Sequence, residues 1–157
     1  MFRRILLSAG AGASFLLASC ESTTEPRPEC DEVFNTVAET RGDTVVLTTG
    51  LRYIETEVGT GATVVSCRGA AISLRGTLLD STQFQAPLGI QFTPGLGQLI
   101  DGVDHGVIGL RVGGTRRLIV PPELGYGSTP RTNDAGEVVI PPNSTIVFDV
   151  EALAVQP

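Results

Sequence analysis

A chain of 157 residues, 41% of them hydrophobic, has enough apolar mass for one packed domain and an appendage. A formal net charge of −6 and a pI near 4.7 repel phosphate and argue against nucleic acid as a partner. Nineteen glycines and ten prolines demand many turns, which fits a β-rich domain better than a helical bundle.

The chain opens with Arg3 and Arg4, and the apolar run Ile5 to Leu17 is too short to span a bilayer. That is the layout of a secretory signal peptide. It ends in Leu17-Ala18-Ser19-Cys20, which resembles the bacterial lipobox, where small residues precede a cysteine that is lipidated and becomes the mature N-terminus. The expectation is removal of residues 1–19 and attachment to the bacterial cell envelope through Cys20, facing the periplasm in a Gram-negative cell. Removal takes away two arginines and no acid. So acidic a body is not drawn to anionic lipid, and the acyl chains must do the anchoring.

Glu21 to Glu29 is polar with two prolines and reads as a flexible tether. With Cys20 taken, Cys30 and Cys67 remain, and an exported compartment permits one bridge between them. Such a bridge is worth about 3–4 kcal/mol in the chain-entropy model; two free thiols are the alternative. Two cysteines and the distant His105 make no metal cluster, so neither metal nor cofactor is expected.

Cys30 to Thr40 carries Val33, Phe34 and Val37 near helical spacing and reads as a short helix or irregular lead-in. Residues 20–43 thus form anchor, tether and lead-in, and 44–157 the domain. Thr44 to Thr49 and Leu51 to Glu57 are β-branched and strand-like, Gly59 to Gly61 is a turn, and Ala70 to Leu79 is a longer strand. Gln91 to Thr93 reads as extended. Leu99, Val103, Val107 and Leu110 recur at steps of four, four and three, which predicts a short amphipathic helix. Its glycines, 102, 106 and 109, each weaken it by about 1 kcal/mol against alanine, so packing must hold it. Thr115 to Val120 is a strand stopped by Pro121 and Pro122, and Ser144 to Val155 alternates as the last strand. Strands flanking one helix give an α+β fold, an antiparallel sheet covering the helix.

The second half, "PGLGQLIDGVDHGVIGLRVGGTRRLIVPPELGYG" followed by "IPPNSTIVFDVEAL", resembles the FKBP-type peptidyl-prolyl isomerases. Gly95, Gly97, Gly102, Gly106, Gly109 and Gly113 fall in the family register. So do Ile100, Pro121, Pro122, Tyr126, Gly127, Ile140, Pro141, Pro142, Phe148 and Glu151, and the likeness covers about Gly50 to Val155. It implies a half-wrapped antiparallel sheet around the helix, with an apolar pocket between them. By register the pocket takes Phe84, Ile90, Leu99, Ile100, Tyr126, Val139, Ile140 and Phe148. In the family the Tyr126 position donates its hydroxyl to a substrate carbonyl and the Ile100 position offers its backbone N–H. Tyr126, Phe84, Ile100 and Phe148 are the implied catalytic set.

Three positions depart from the family pattern. Leu74 stands where the family has a strand tyrosine, Gln85 where it has an aspartate, and Val103 where it has a tryptophan on the pocket floor. The first two changes remove a hydroxyl–carboxylate pair that orients bound peptide, and the third should deepen or loosen the floor. The resemblance implies a monomeric isomerase acting on proline-containing peptides or unfolded protein clients. The altered positions keep a second expectation open, a binding module that holds such clients without turnover.

Other polar residues read as ordinary surface. His105 is expected on a solvated face, Arg116 and Arg117 in a salt bridge or on a solvated face, and Asp80 to Thr82 in a turn.

Overall fold

The computed structural model describes residues 36–157. Cys20, Cys30 and the segments expected to be a signal sequence and a tether therefore lie outside the described residues. Nine strands and one α-helix follow in order: β1 Val37–Arg41, β2 Thr44–Leu47, β3 Arg52–Glu57, β4 Ala70–Leu78, β5 Gln83–Phe92, α1 Asp101–Gly106, β6 Thr115–Val120, β7 Arg131–Thr132, β8 Val138–Ile140 and β9 Ile146–Val155. Seven strands pair antiparallel in the order β1-β2-β3-β6-β9-β4-β5, while β7 and β8 form a separate hairpin. This is an antiparallel sheet packed on one short helix, the fold class expected from the sequence.

Strand β9 sits between β6 and β4, and its pattern shows why. Ile146, Phe148, Val150 and Ala152 are buried while the residues between them are not, because a period of two sends every second side chain to the helix face. On β6 the same face carries Arg116, Leu118 and Val120. Asp149 of β9 lies opposite Arg117 of β6 and Arg75 of β4 and pairs with both across the outer face.

Packing explains the helical glycines. A Cβ on Gly102 would overlap the Val120 side chain, and one on Gly106 would come 2.7 Å from Leu118. Glycine lets α1 lie directly on β6, and the burial of Val103 and Val107 offsets its poor helix propensity. Arg116, 3% exposed, closes the far end of the helix: its Nη1 donates to the Gly106 and Ile108 carbonyls at 2.7 and 3.0 Å. Its guanidinium also pairs with Glu55 and lies 4.2 Å over the Tyr53 ring. A cation there satisfies carbonyls the short helix leaves open. Arg116 and Arg117 are thus both ion-paired, one inside and one outside.

Four expectations need correction. Val37 to Arg41 is a strand, neither a helix nor an irregular lead-in: Gly42 at φ +61° turns the chain back so that Arg41 opposes Thr44. The helix is shorter than its apolar spacing suggested, because Val107 to Gly109 leave it as a turn. Strand β5 starts at Gln83, well before Gln91, with a register shift around Ala86 and Pro87. His105 is half-buried on α1 and does not face solvent fully. Among the described residues no helix is long and apolar enough to cross a membrane.

Candidate active site: an apolar pocket between helix and sheet

Between α1, the inner face of the sheet and the β7–β8 hairpin lies an open cavity of about 580 Å³. Each wall comes from a different element. Leu99, Ile100 and Val103 enter from the start of α1, Leu74 from β4, Phe84, Gln85 and Ile90 from β5, and Phe148 from β9. Val139 and Ile140 of β8 form another side, and Tyr126 stands on the turn after β6. All eleven pocket residues expected from the sequence line this one cavity.

Two rings make one corner of the pocket. Phe84 and Phe148 meet edge to face, centroids 5.6 Å apart and planes at 90°, an arrangement the ring quadrupoles favour. Gly76 on β4 makes the corner possible, since a Cβ there would come 2.5 Å from the Phe84 ring and 2.9 Å from Phe148. Sequence reasoning missed Gly76. The signal was a glycine inside a strand, which often marks a close approach.

Tyr126 owes its position to the chain around it. Pro121 and Pro122 end β6 and start a 3₁₀ turn, Pro122–Leu124. Gly127 at φ +57° reverses the chain, its N–H donating to the Pro122 carbonyl at 2.8 Å and its carbonyl accepting from Asn143 at 2.7 Å. Among the described residues nothing ties up the Tyr126 hydroxyl, and the side chain is half-buried at the pocket. A core tyrosine with a satisfied hydroxyl is not what the geometry presents.

Ile100 caps α1 with extended backbone (φ −62°, ψ 145°), and its carbonyl accepts from Val103 and Asp104. Its N–H, at the helix start beside the cavity, donates to no backbone carbonyl among the described residues. The loop before it is held by Asp104, 3% exposed, whose Oδ2 accepts from the Gly95 N–H at 2.9 Å. Desolvation pushes the Asp104 carboxyl above its ordinary value of 3.8, and the Gly95 hydrogen bond opposes that shift.

The departures also take physical form. Val103 is 2% exposed and lines the floor. Gln85 turns its amide onto its own strand, donating to the Ala86 carbonyl at 3.0 Å. Leu74 faces the cavity without a polar group. Among the described residues the cavity beside these three positions stays open.

The lining also includes Leu88, Arg131, Thr132 and Asn133, which sequence reasoning did not name. The last three belong to the β7–β8 hairpin. Among the described residues no group of three or more His, Cys, Asp or Glu side chains gathers to hold a metal.

Residues 55–153 match the model of the FKBP-type peptidyl-prolyl cis-trans isomerase family. The chain belongs to that family. It is 31% identical over 94% of its length to the photosynthetic NDH subunit of lumenal location 4, chloroplastic, of Arabidopsis thaliana, covering 74% of that protein. It is 38% identical over 69% of its length to the FKBP-type isomerase FkpA of Escherichia coli K12, covering 39% of it. The crystal structure of FkpA superposes with a TM-score of 0.59 at 35% identity, over 75% of this chain and 54% of that one. AtFKBP13 superposes with a TM-score of 0.62 at 29% identity, over 72% of this chain and 98% of that one. Against several curated FKBP relatives the chain spans well under half their length, 39% of FkpA and 29% of the FK506-binding protein 4 of Dictyostelium discoideum. The family match, residues 55–153, takes in β4 to β8, the helix, most of β9 and every pocket residue, and leaves β1 and β2 outside it.

Cys67 lies at φ 66° in the turn before β4 and is disulfide-bonded. The other half of the bridge lies outside the described residues.

Proposed function

We propose that this FKBP-family chain is a peptidyl-prolyl cis-trans isomerase that assists folding in the bacterial cell envelope. The observation that carries the proposal is the open apolar cavity of about 580 Å³ between Phe84, Ile100, Tyr126 and Phe148. It persists although Leu74, Gln85 and Val103 replace larger or more polar groups. A cavity of about 300–1,000 Å³ with few polar groups suits a small apolar ligand or a peptide side chain.

The chemistry asks for no nucleophile, acid or metal. Rotation about an X–Pro amide faces a barrier of about 18–20 kcal/mol because the C–N bond is partly double. Apolar walls disfavour the charge-separated resonance form, so an imide moved from water into them twists more easily. A pocket that fits the twisted form better than either planar one lowers the barrier further. In this reading Phe84 and Phe148 grip the proline ring. Tyr126 and the Ile100 N–H hold flanking carbonyls, fixing the chain on both sides of the rotating bond.

The test is the cis-to-trans rate of a short X-Pro-Phe peptide in the presence of the purified protein. Acceleration that grows with protein concentration supports the proposal; a rate equal to the buffer control sinks it. One observation favours a second reading, a binder without turnover. Gln85 is turned onto Ala86, so neither it nor Leu74 orients a peptide as the family's aspartate and tyrosine do. Saturable binding of proline peptides with no change in rate would select that reading.

The setting is proposed from the sequence: export, lipidation at Cys20 and a bridge between Cys30 and Cys67. The oxidised state of Cys67 supports the bridge. A Cys20→Ser protein should leave the membrane fraction; unchanged fractionation would refute the anchor.

A further inference from the structure

Of the side chains lining the pocket, Arg131 alone carries a formal charge. It stands on β7, opposite Ile140 of β8, and its guanidinium lies 4.5 Å from the centroid of the Tyr126 ring. Cation–π contact of this kind is worth about 0.5–1 kcal/mol at an exposed site, enough to bias a long side chain toward one place. The place is the pocket mouth, beside the residue proposed to hold a substrate carbonyl. Arg131 itself is exposed, so the contact leaves its N–H fork open to a ligand.

The neighbouring acids do not neutralise it. Glu137, on the same hairpin, accepts from the Asn133 side chain at 2.9 Å, and exposed Asp134 follows in the turn. Among the described residues neither forms an ion pair with Arg131. The chain as a whole is acidic, at −6. Its distant charges are screened over about 8–10 Å, however, so a bound peptide responds mainly to the cation beside it.

We infer that Arg131 sets a substrate preference: the pocket selects prolines flanked within two residues by an aspartate or glutamate. The geometry carries the distance. An extended chain advances about 3.3–3.6 Å per residue, so a carboxylate one or two positions from a proline whose flanking carbonyl Tyr126 holds comes within reach of the fork. A planar guanidinium binds a carboxylate through two parallel N–H donors, which a point cation cannot do. This inference rests on the isomerase or peptide-binding reading of the same pocket.

The test uses three peptides that differ only before the proline, carrying Glu, Lys or Ala, and the same series with the change one residue further out. Catalysed rates are normalised to each peptide's uncatalysed rate, and affinities are read by fluorescence anisotropy. The protein should prefer Glu over Lys by about three- to tenfold, the scale of a partly exposed ion pair. The ratio should shrink at high salt. Arg131→Lys should lower it without reversing it, Arg131→Ala should bring it near one, and Arg131→Glu should invert it. Loss of fold or of general activity would lower all peptides together and leave the ratio alone, so the ratio isolates the charge. If the Ala peptide is turned over or bound but Glu and Lys peptides behave alike, charge selection is overturned and the pocket reading survives. If no peptide is bound or turned over, both are overturned.

Discussion

Phe84 occupies the space that Gly76 leaves: a Cβ on Gly76 would come 2.5 Å from the Phe84 ring. The ring in turn stands edge-on against Phe148. One missing methyl on β4 therefore positions the corner of the pocket.

Gly76→Ala should disturb that corner first. The new methyl can be accepted only if Phe84 or the strand shifts, a form of overpacking that costs about 1–3 kcal/mol. Urea unfolding should show a lowered midpoint, and peptide affinity should fall with it. An unchanged midpoint with unchanged affinity would mean that Phe84 is free to move and does not define the corner.

Val103→Trp puts back the ring that the family pattern has on the floor. Val103 is buried at 2% exposure but also borders the open cavity, so a larger ring can extend into that space. Stability should change by no more than about 1 kcal/mol, against the 1–3 expected of core overpacking. Peptide affinity should rise as the floor becomes flat and complete. A large destabilisation would mean that the ring cannot reach the cavity and overpacks the core around Val103.

Two buried or half-buried carboxylates give opposite pH signatures. Asp104 has its pKa raised by desolvation, so the native state holds its proton more tightly than the unfolded chain does. Its contribution is present below the unfolded value of 3.8 and is lost as pH rises through the folded one. Asp104→Asn should therefore gain stability relative to the parent as pH rises above 3.8 and through the raised folded value. Asp149 has its pKa lowered, first by the Arg117 hydrogen bond and also by Arg75. Its contribution is present above 3.8 and is lost as pH falls through the lowered folded value. Asp149→Asn should cost about 1 kcal/mol or less at neutral pH, since the pair is partly exposed, and nothing in strong acid. Thermal melts of both variants across pH check the two signs.

Cys30→Ser should leave Cys67 as a reactive thiol and lower stability by about 3–4 kcal/mol on the chain-entropy account. Thiol labelling of the denatured, unreduced protein reads the first effect. If Cys67 stays protected in that variant, its partner is another cysteine.

Much of the fold was legible because residues with one conformational meaning fall where the sheet and helix need them. Pro121 and Pro122 stop β6, the alternation of Ile146, Phe148 and Val150 marks β9, and Gly102 and Gly106 mark the helix lying on β6. What escaped had no local signature. Val37 lay at helical spacing from Val33 and Phe34, yet the chain from Val37 pairs with β2, because pairing is decided by the neighbouring strand and the Gly42 turn. Strand β5 was hidden by Pro87 and Gly89, which break its alternation where its register shifts. Arg131 could not be found from sequence at all. Its meaning comes from Tyr126, five residues away along the chain and brought beneath its guanidinium by the turn at Gly127.

The most direct measurement of the central claim is exchange spectroscopy on an unmodified X-Pro peptide at equilibrium, which reads isomerisation itself. With the parent protein, cis–trans exchange should quicken in proportion to protein concentration. Tyr126→Phe and Phe148→Ala should lose about tenfold or more of that acceleration while remaining folded, the effect of removing about 1.4 kcal/mol of transition-state stabilisation. Exchange at the free-peptide rate with the parent protein, despite saturable binding, would contradict the isomerase account and leave a peptide-binding FKBP domain in its place.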